Sequence, residues 1–146
     1  MNTAPKISLI MSVYNGEDYL AETIDSVLSQ TFTDWEFIII NDCSTDSTAE
    51  ILDDFSKRDG RIKVHTNETN LKLPSSLNKA ISFAQGKYIA RMDADDICLP
   101  ERLEKQYEFM EKNPSVALSS CRFMTMKNGV FSSGGAGGRC DNDAIR

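Results

Sequence analysis

Two carboxylates one residue apart, in Asp93-Ala94-Asp95, follow directly on the run Lys87-Tyr88-Ile89-Ala90-Arg91-Met92. Alternate residues of an extended segment point the same way, so a pair at this spacing can converge on one object. Such a pair wants a cation. No cysteine or histidine stands beside it to favour zinc, so the implied ion is hard and oxygen-preferring. Mg²⁺ or Mn²⁺ fits, held by one or two carboxylates and completed by phosphate and water. A phosphorylated substrate follows. Read alone, Asp93-Ala94-Asp95-Asp96 is more often a solvated turn that caps the next helix, because the motif is short and acidic loops are common. A second acid, Asp42, closes the apolar run Phe37–Ile40. It either caps a helix within Asn41-Asp42-Cys43-Ser44-Thr45-Asp46 or accepts an imide or amide N–H, such as the one on the edge of uracil. Tyr14 offers a ring face for base stacking, or simple packing.

Each of these groups falls at the end of a predicted strand. Ile7–Val13 is β-branched and apolar, and Asn15-Gly16 stops it. Leu20, Ile24, Val27 and Leu28 recur at helical spacing, giving a helix that ends near Ser29-Gln30. Trp35–Ile40 is almost continuously apolar, as a strand covered on both faces should be. Ser47 and Glu50 form a capping-box pattern before Ile51, Leu52 and Phe55. Arg61–His65 alternates like a short or edge strand, and a polar loop, Thr66–Asn70, follows. Pro74 suits the first residue of a helix carrying Leu77, Ala80, Ile81 and Ala84, with Gly86 as its left-handed stop. Lys87–Met92 is a fourth strand. Pro100 begins a helix with Leu103, Tyr107 and Met110 inward, Asn113-Pro114 breaks it, and Val116–Cys121 is a fifth strand.

Strands alternating with helices over short connections predict an α/β fold, a mostly parallel sheet flanked by helices through right-handed crossovers. Ligands in such sheets bind outside the carboxyl ends of the strands, beside a reversal of strand order. Those ends are Ser12 to Asn15, Asn41 to Ser44 and Asp93 to Asp96.

The 146 residues, 40% apolar and 26% charged, suit one domain over 1–146. Sixteen Lys and Arg against 22 Asp and Glu leave a net charge of −6, which argues against nucleic acid as a partner. The four cysteines include no Cys-x-x-Cys pair, and His65 is the single histidine. They read as thiols in a reducing compartment rather than as a zinc site. No apolar run approaches the ~20 residues of a membrane span, so no transmembrane segment is expected in this chain. Met1–Lys6 carries one basic residue and no cleavage site follows, so the first apolar stretch reads as a strand and not a leader. No Gly-x-x-x-x-Gly-Lys-Ser/Thr phosphate loop occurs. The Gly- and Ser-rich stretch 132–138 predicts a flexible tail from about Phe131. There Asp141 and Asp143 read as a solvated turn.

Taken together, Ile7–Asn15 with Ser29-Gln30-Thr31-Phe32, Trp35–Asp46, Asn70–Asn78, and Arg91–Asp96 with Leu99-Pro100-Glu101-Arg102 resemble the family-two glycosyltransferases of the GT-A fold in order and spacing. The resemblance covers about residues 5 to 122. It implies a Rossmann-like nucleotide-binding fold and a nucleotide-sugar donor, a UDP-sugar in particular.

The resemblance also implies roles. Ser12 and Tyr14, with Asn15 beside them, match the first nucleotide-contacting loop. Asp42 matches the acid that reads uracil, Asp93 the residue near the ribose, and Asp95 the metal ligand, with Asp93 next to the ion. Arg91 either sets the carboxylates and approaches phosphate or forms a structural salt bridge. Lys72 stands where relatives commonly have glycine, which leaves the course of the Asn70–Pro74 loop open or brings an ammonium near the nucleotide. Ser12 replaces a common proline, Asn41 an aspartate and Cys43 a glycine. The expected activity is inverting transfer to a hydroxyl acceptor, a glycan or lipid-linked glycan, in cell-surface polysaccharide assembly. Its place would be the cytoplasm or the cytoplasmic membrane face. The general base and the acceptor half are expected beyond Arg146. An exposed apolar flank would then favour self-association. The alternative is a module that binds nucleotide sugar and metal without transfer.

Overall fold

The computed structural model describes residues 4–121, 123–127 and 130–134. Up to Pro100 the elements are β1 (Ile7–Val13), α1 (Leu20–Leu28), β2 (Trp35–Asn41), α2 (Thr48–Arg58), β3 (Ile62–Thr66), α3 (Lys72–Phe83) and β4 (Tyr88–Arg91). The four strands form one sheet in the order β3-β2-β1-β4, and every pairing is parallel. All seven residues of β2 are buried, because the strand lies inside the sheet and both its faces are covered. Ile10, Ile38, Ile40 and Ala80 make one core cluster, with Leu77 and Ala84 packed against it, where α3 meets β1 and β2. Leu9, Met11, Phe37 and Ile39 are buried at the alternate positions and so belong to the opposite face. Right-handed crossovers put α1 and α2 on that face, because the chain moves outward from β1 to β3 and then doubles back to β4. That reversal sets the switch point between β1 and β4.

Glu36 locks the starts of the strands together. Its Oε1 accepts from Ser8 Oγ at 2.6 Å and from the Gln85 N–H at 2.8 Å, and its Oε2 accepts from Lys63 Nζ at 2.6 Å. Beside it, the Arg61 guanidinium lies 3.7 Å from the centroid of the Trp35 ring, a cation–π contact.

Several local expectations are corrected. Pro74 is the third residue of its helix, which starts at Lys72, and Pro100 lies in the turn before a helix that starts at Arg102. Gly86 is not a left-handed helix stop, since α3 ends at Phe83 with Ala84 extended. It is instead a close-approach glycine, because a Cβ there would sit 2.5 Å from Ser8 N and 2.7 Å from Ile7 C. The capping box at Ser47 does not form: Ser47 has φ −75° and ψ 10° and makes no side-chain cap bond. Asp46 Oδ1 accepts the Thr48 N–H and Glu17 Oε2 the Ser47 N–H instead. Val116–Cys121 forms no strand. The Val116 N–H turns back to the Asn113 carbonyl at 2.9 Å, so the segment leaves the helix through a turn.

The chain divides into two compact units, Met1–Pro100 and Glu101–Arg146. The second contains α4 (Arg102–Lys112) and an antiparallel hairpin of β5 (Phe123–Lys127) and β6 (Val130–Gly134). Residues 135–146, which make up most of the expected tail and include Asp141 and Asp143, lie outside the described residues. Among the described residues no helix is long and apolar enough to cross a membrane.

Candidate functional site

The loop after β1 is shaped by reciprocal bonds to the loop after β2. Asn15 takes a left-handed conformation, φ 52°, which asparagine tolerates better than most residues. Its N–H donates to Ser44 Oγ at 3.0 Å, and its Oδ1 accepts from the Thr45 N–H at 2.9 Å. The Gly16 N–H donates to Thr48 Oγ1 at 2.8 Å. A Cβ at Gly16 would lie 2.5 Å from Val13 Cγ2, so the turn needs glycine. Tyr14 is left at the rim, 52% exposed.

Asp42, at the mouth of β2, is only 2% exposed. Its Oδ1 accepts from Asn67 Nδ2 and from the Leu71 N–H, each at 2.8 Å. Asn67 Nδ2 also donates to the fully buried Ser76 Oγ at 2.9 Å. Burial pushes the Asp42 carboxyl up, but hydrogen bonds from Asn67, the Leu71 N–H, Ser76 and the Lys72 N–H outweigh it. The group is held below the usual aspartate value and is ionised.

The same bonds fix the entrance to α3. Lys72 there has φ 68°, a left-handed conformation that an L side chain adopts at a cost. The loop therefore keeps a glycine-like course with lysine in it. Among the described residues the Lys72 ammonium has no ion-pair partner.

Asp93 and Asp95 follow β4. Asp93 Oδ1 accepts from Arg91 at 2.6 Å, an ion pair half-exposed on both sides, which adds little to stability. This ion pair fits both readings of Arg91, a structural salt bridge and a setting of the carboxylates. Asp95 is exposed and has no hydrogen-bond or ion-pair partner among the described residues. No group of three or more His, Cys, Asp or Glu side chains among those residues is placed to hold a metal. Two carboxylates beside an open cleft nevertheless fit a hard ion whose shell is completed by a phosphorylated ligand.

These loops enclose a cleft at the β1/β4 switch point. Its larger lobe, about 400 Å³, is lined by Ser12, Tyr14, Asn15, Asp93 and Asp95, with Tyr19 and Leu73. A smaller lobe of about 190 Å³ is bounded by Asp42, Asn70 and Lys72. Ser12, Tyr14 and Leu73 border both, so the lobes adjoin. Of the residues expected from sequence, only Arg91 lines neither lobe, reaching the site through Asp93.

Sequence reasoning missed Tyr19 and Leu73, exposed apolar side chains at the starts of α1 and α3. It also missed Asn67 and Ser76, which hold Asp42. Asn67 lay in a polar loop with no local signal, and Ser76 lay in a helix. A buried polar residue on the inner face of α3 was the one hint available.

The model of the family described as glycosyl transferase family 2 matches residues 8–134. EpsE of Bacillus subtilis, a glycosyltransferase by assignment, is 49% identical over 114 residues, 77% of this chain and 41% of that protein. The Escherichia coli UDP-Glc:alpha-D-GlcNAc-diphosphoundecaprenol beta-1,3-glucosyltransferase WfgD is 40% identical over 107 residues, 73% of this chain and 42% of its own. Among solved structures, residues 1–349 of S. aureus TarS in complex with UDP-GlcNAc superpose with a TM-score of 0.70 at 31% identity, covering 75% of this chain and 32% of that one. The chain thus spans about two fifths of the length of the curated relatives it matches.

Proposed function

This chain belongs to glycosyl transferase family 2 and has the GT-A fold, and on that premise we propose that its cleft binds a UDP-sugar whose sugar is transferred to a hydroxyl acceptor. The observation that carries the reading is the two-lobed cleft at the switch point, with Asp42 in one lobe and Asp93 and Asp95 in the other. The uracil ring takes the smaller lobe beside Tyr14, its imide N–H donating to Asp42, which is ionised and so an acceptor only. Ser12 and Asn15 border the ribose and phosphates, Asp93 the ribose, and Lys72 lies on the nucleotide side. Support for uridine comes from WfgD, named for UDP-Glc, and from TarS, solved with UDP-GlcNAc.

Asp95, with Asp93, would hold Mn²⁺ or Mg²⁺. When bound, such an ion supplies a Lewis acid that neutralises charge on the departing nucleoside diphosphate, worth several kcal/mol. Arg91 restrains Asp93, leaving the Asp95 carboxylate facing the cleft rim. The acceptor hydroxyl attacks the anomeric carbon and displaces UDP directly, with inversion, as a carboxylate base outside the donor-binding set takes its proton. The acceptor is a glycan or lipid-linked glycan of cell-surface polysaccharide assembly, met in the cytoplasm, where donors of this class are made, or at the cytoplasmic membrane face. WfgD, named for a diphosphoundecaprenol-linked acceptor, supports this class.

Isothermal titration of the chain with UDP, CDP and GDP, with and without Mn²⁺, tests the reading. Saturable UDP binding that tightens with Mn²⁺ and exceeds CDP and GDP binding is expected. Failure to bind UDP, or equal binding of the three, overturns it. Donor binding with no transfer to any hydroxyl acceptor is the outcome that favours a binding module.

A further inference from the structure

The loop 92–101 carries Asp95 but contains no helix or strand, so something outside it must set where its carboxylates stand. Three polar side chains on one stripe of α1 and its exit do so. Thr23 Oγ1 donates to the Ala94 carbonyl at 2.9 Å. Ser26 Oγ accepts the Cys98 N–H at 3.0 Å and itself donates to the Thr23 carbonyl at 2.7 Å. Gln30 Nε2 donates to the Leu99 carbonyl at 2.8 Å and to the Ser26 carbonyl at 3.2 Å. One residue on, the Thr31 N–H donates to the Pro100 carbonyl at 2.9 Å. Positions 23, 26 and 30 are spaced i, i+3 and i+7, which is one face of a helix. Thr23 and Gln30 are buried, so their bonds to the loop are partly shielded from competing water.

The arrangement is specific in what it holds. Each bond that crosses from the stripe to the loop ends on loop backbone, at 94, 98 and 99, and none ends on an Asp93 or Asp95 carboxylate. The loop is therefore pinned on both sides of Asp95 while the carboxylate stays available. Hard-cation ligands gain from being held in place before the ion arrives. We propose that Thr23, Ser26 and Gln30 are positioning residues for the metal-holding loop, acting on Asp95 through the backbone of 94–99 without touching donor or ion. This rests on the reading that Asp95 holds the ion beside a bound UDP.

The test is UDP affinity of the full chain, measured with and without Mn²⁺, for the parent and for Thr23→Val, Thr23→Ser, Ser26→Ala and Asp95→Asn. Thr23→Val keeps the shape and removes the donor, and is expected to lose about tenfold in Mn²⁺-dependent UDP affinity. Metal-free affinity should stay within about twofold. Thr23→Ser restores the hydroxyl and should recover most of the loss. Ser26→Ala, at a partly exposed site that tolerates the change, should lose several-fold in the Mn²⁺-dependent part and speed hydrogen exchange of the Cys98 amide. Equal loss with and without Mn²⁺ would make the stripe merely structural and overturn the proposal. So would an unchanged Mn²⁺ response in both Thr23→Val and Ser26→Ala. If the parent binds UDP with no Mn²⁺ response, or Asp95→Asn keeps a full one, the metal reading of Asp95 fails first and takes this proposal with it.

Discussion

Asp42 accepts the Leu71 N–H at 2.8 Å across 29 residues of sequence, tying the mouth of β2 to the entrance of α3. The same oxygen takes Asn67 Nδ2 at 2.8 Å. The acid proposed to read the base is thus also the group that shapes one wall of the base lobe, and both roles should show when it is changed.

Asp42→Ala should cost about 1–3 kcal/mol of stability, because the buried Asn67 amide and the partly buried Leu71 N–H lose their acceptor. It should also weaken UDP by a similar amount through loss of a charge-assisted bond, while inorganic pyrophosphate with Mn²⁺ binds nearly as before. Urea unfolding and competition titrations measure the two effects separately. A parallel drop for UDP and pyrophosphate would leave Asp42 a structural residue alone.

Asp95→Asn should remove the Mn²⁺-dependent part of UDP affinity and leave the melting temperature within a degree or two, since Asp95 is exposed and makes no bond among the described residues. Titration with and without the ion, next to a thermal melt, reads this out. A variant as responsive to Mn²⁺ as the parent would show that Asp95 is not a ligand.

Lys72 stands at φ 68°, where an L residue pays roughly 1–2 kcal/mol. Lys72→Gly should therefore stabilise the fold by about 0.5–1 kcal/mol, the relief less glycine's greater loss of freedom. Lys72→Met keeps the strain and should not stabilise. Both should weaken UDP several-fold by removing the ammonium from the smaller lobe. Unchanged UDP affinity in both variants would place the ammonium in solvent.

Glu36 gives the pH dependence. Burial raises its carboxyl, but bonds from Lys63, Ser8 and the Gln85 N–H outweigh this and hold it below the usual glutamate value. A depressed carboxylate stabilises the fold above its unfolded value, and that contribution disappears as pH falls towards the folded one. Parent stability should therefore drop more steeply than that of Glu36→Gln between about pH 5 and pH 3, in the ordinary glutamate range and below. Matching slopes in urea titrations across that range would refute the assignment.

What the sequence by itself determined was whatever a local pattern encodes. The continuous apolar run of Trp35–Ile40, the helical spacing of Leu20, Ile24, Val27 and Leu28, and the placement of Asp42 and Asp93-Ala94-Asp95 at strand ends were enough for a parallel α/β sheet with acids at its rim. The shared segments were enough for the family. Local pattern misled where a residue's partner lies far along the chain. Gly86 looked like a helix stop because the close approach of Ser8 is not written near it. Ser47 looked like a cap because Glu17, which takes its N–H, is 30 residues away. Only the tertiary structure decided which strand lies beside β1, and hence that Ser12, Tyr14 and Asp95 border one cleft. It also decided that Thr23, Ser26 and Gln30 reach a loop about 70 residues later. Hydrogen bonds of that span arise when sheet order and crossover hand bring separate loops to one rim, and neither order nor hand is carried by any single stretch of chain.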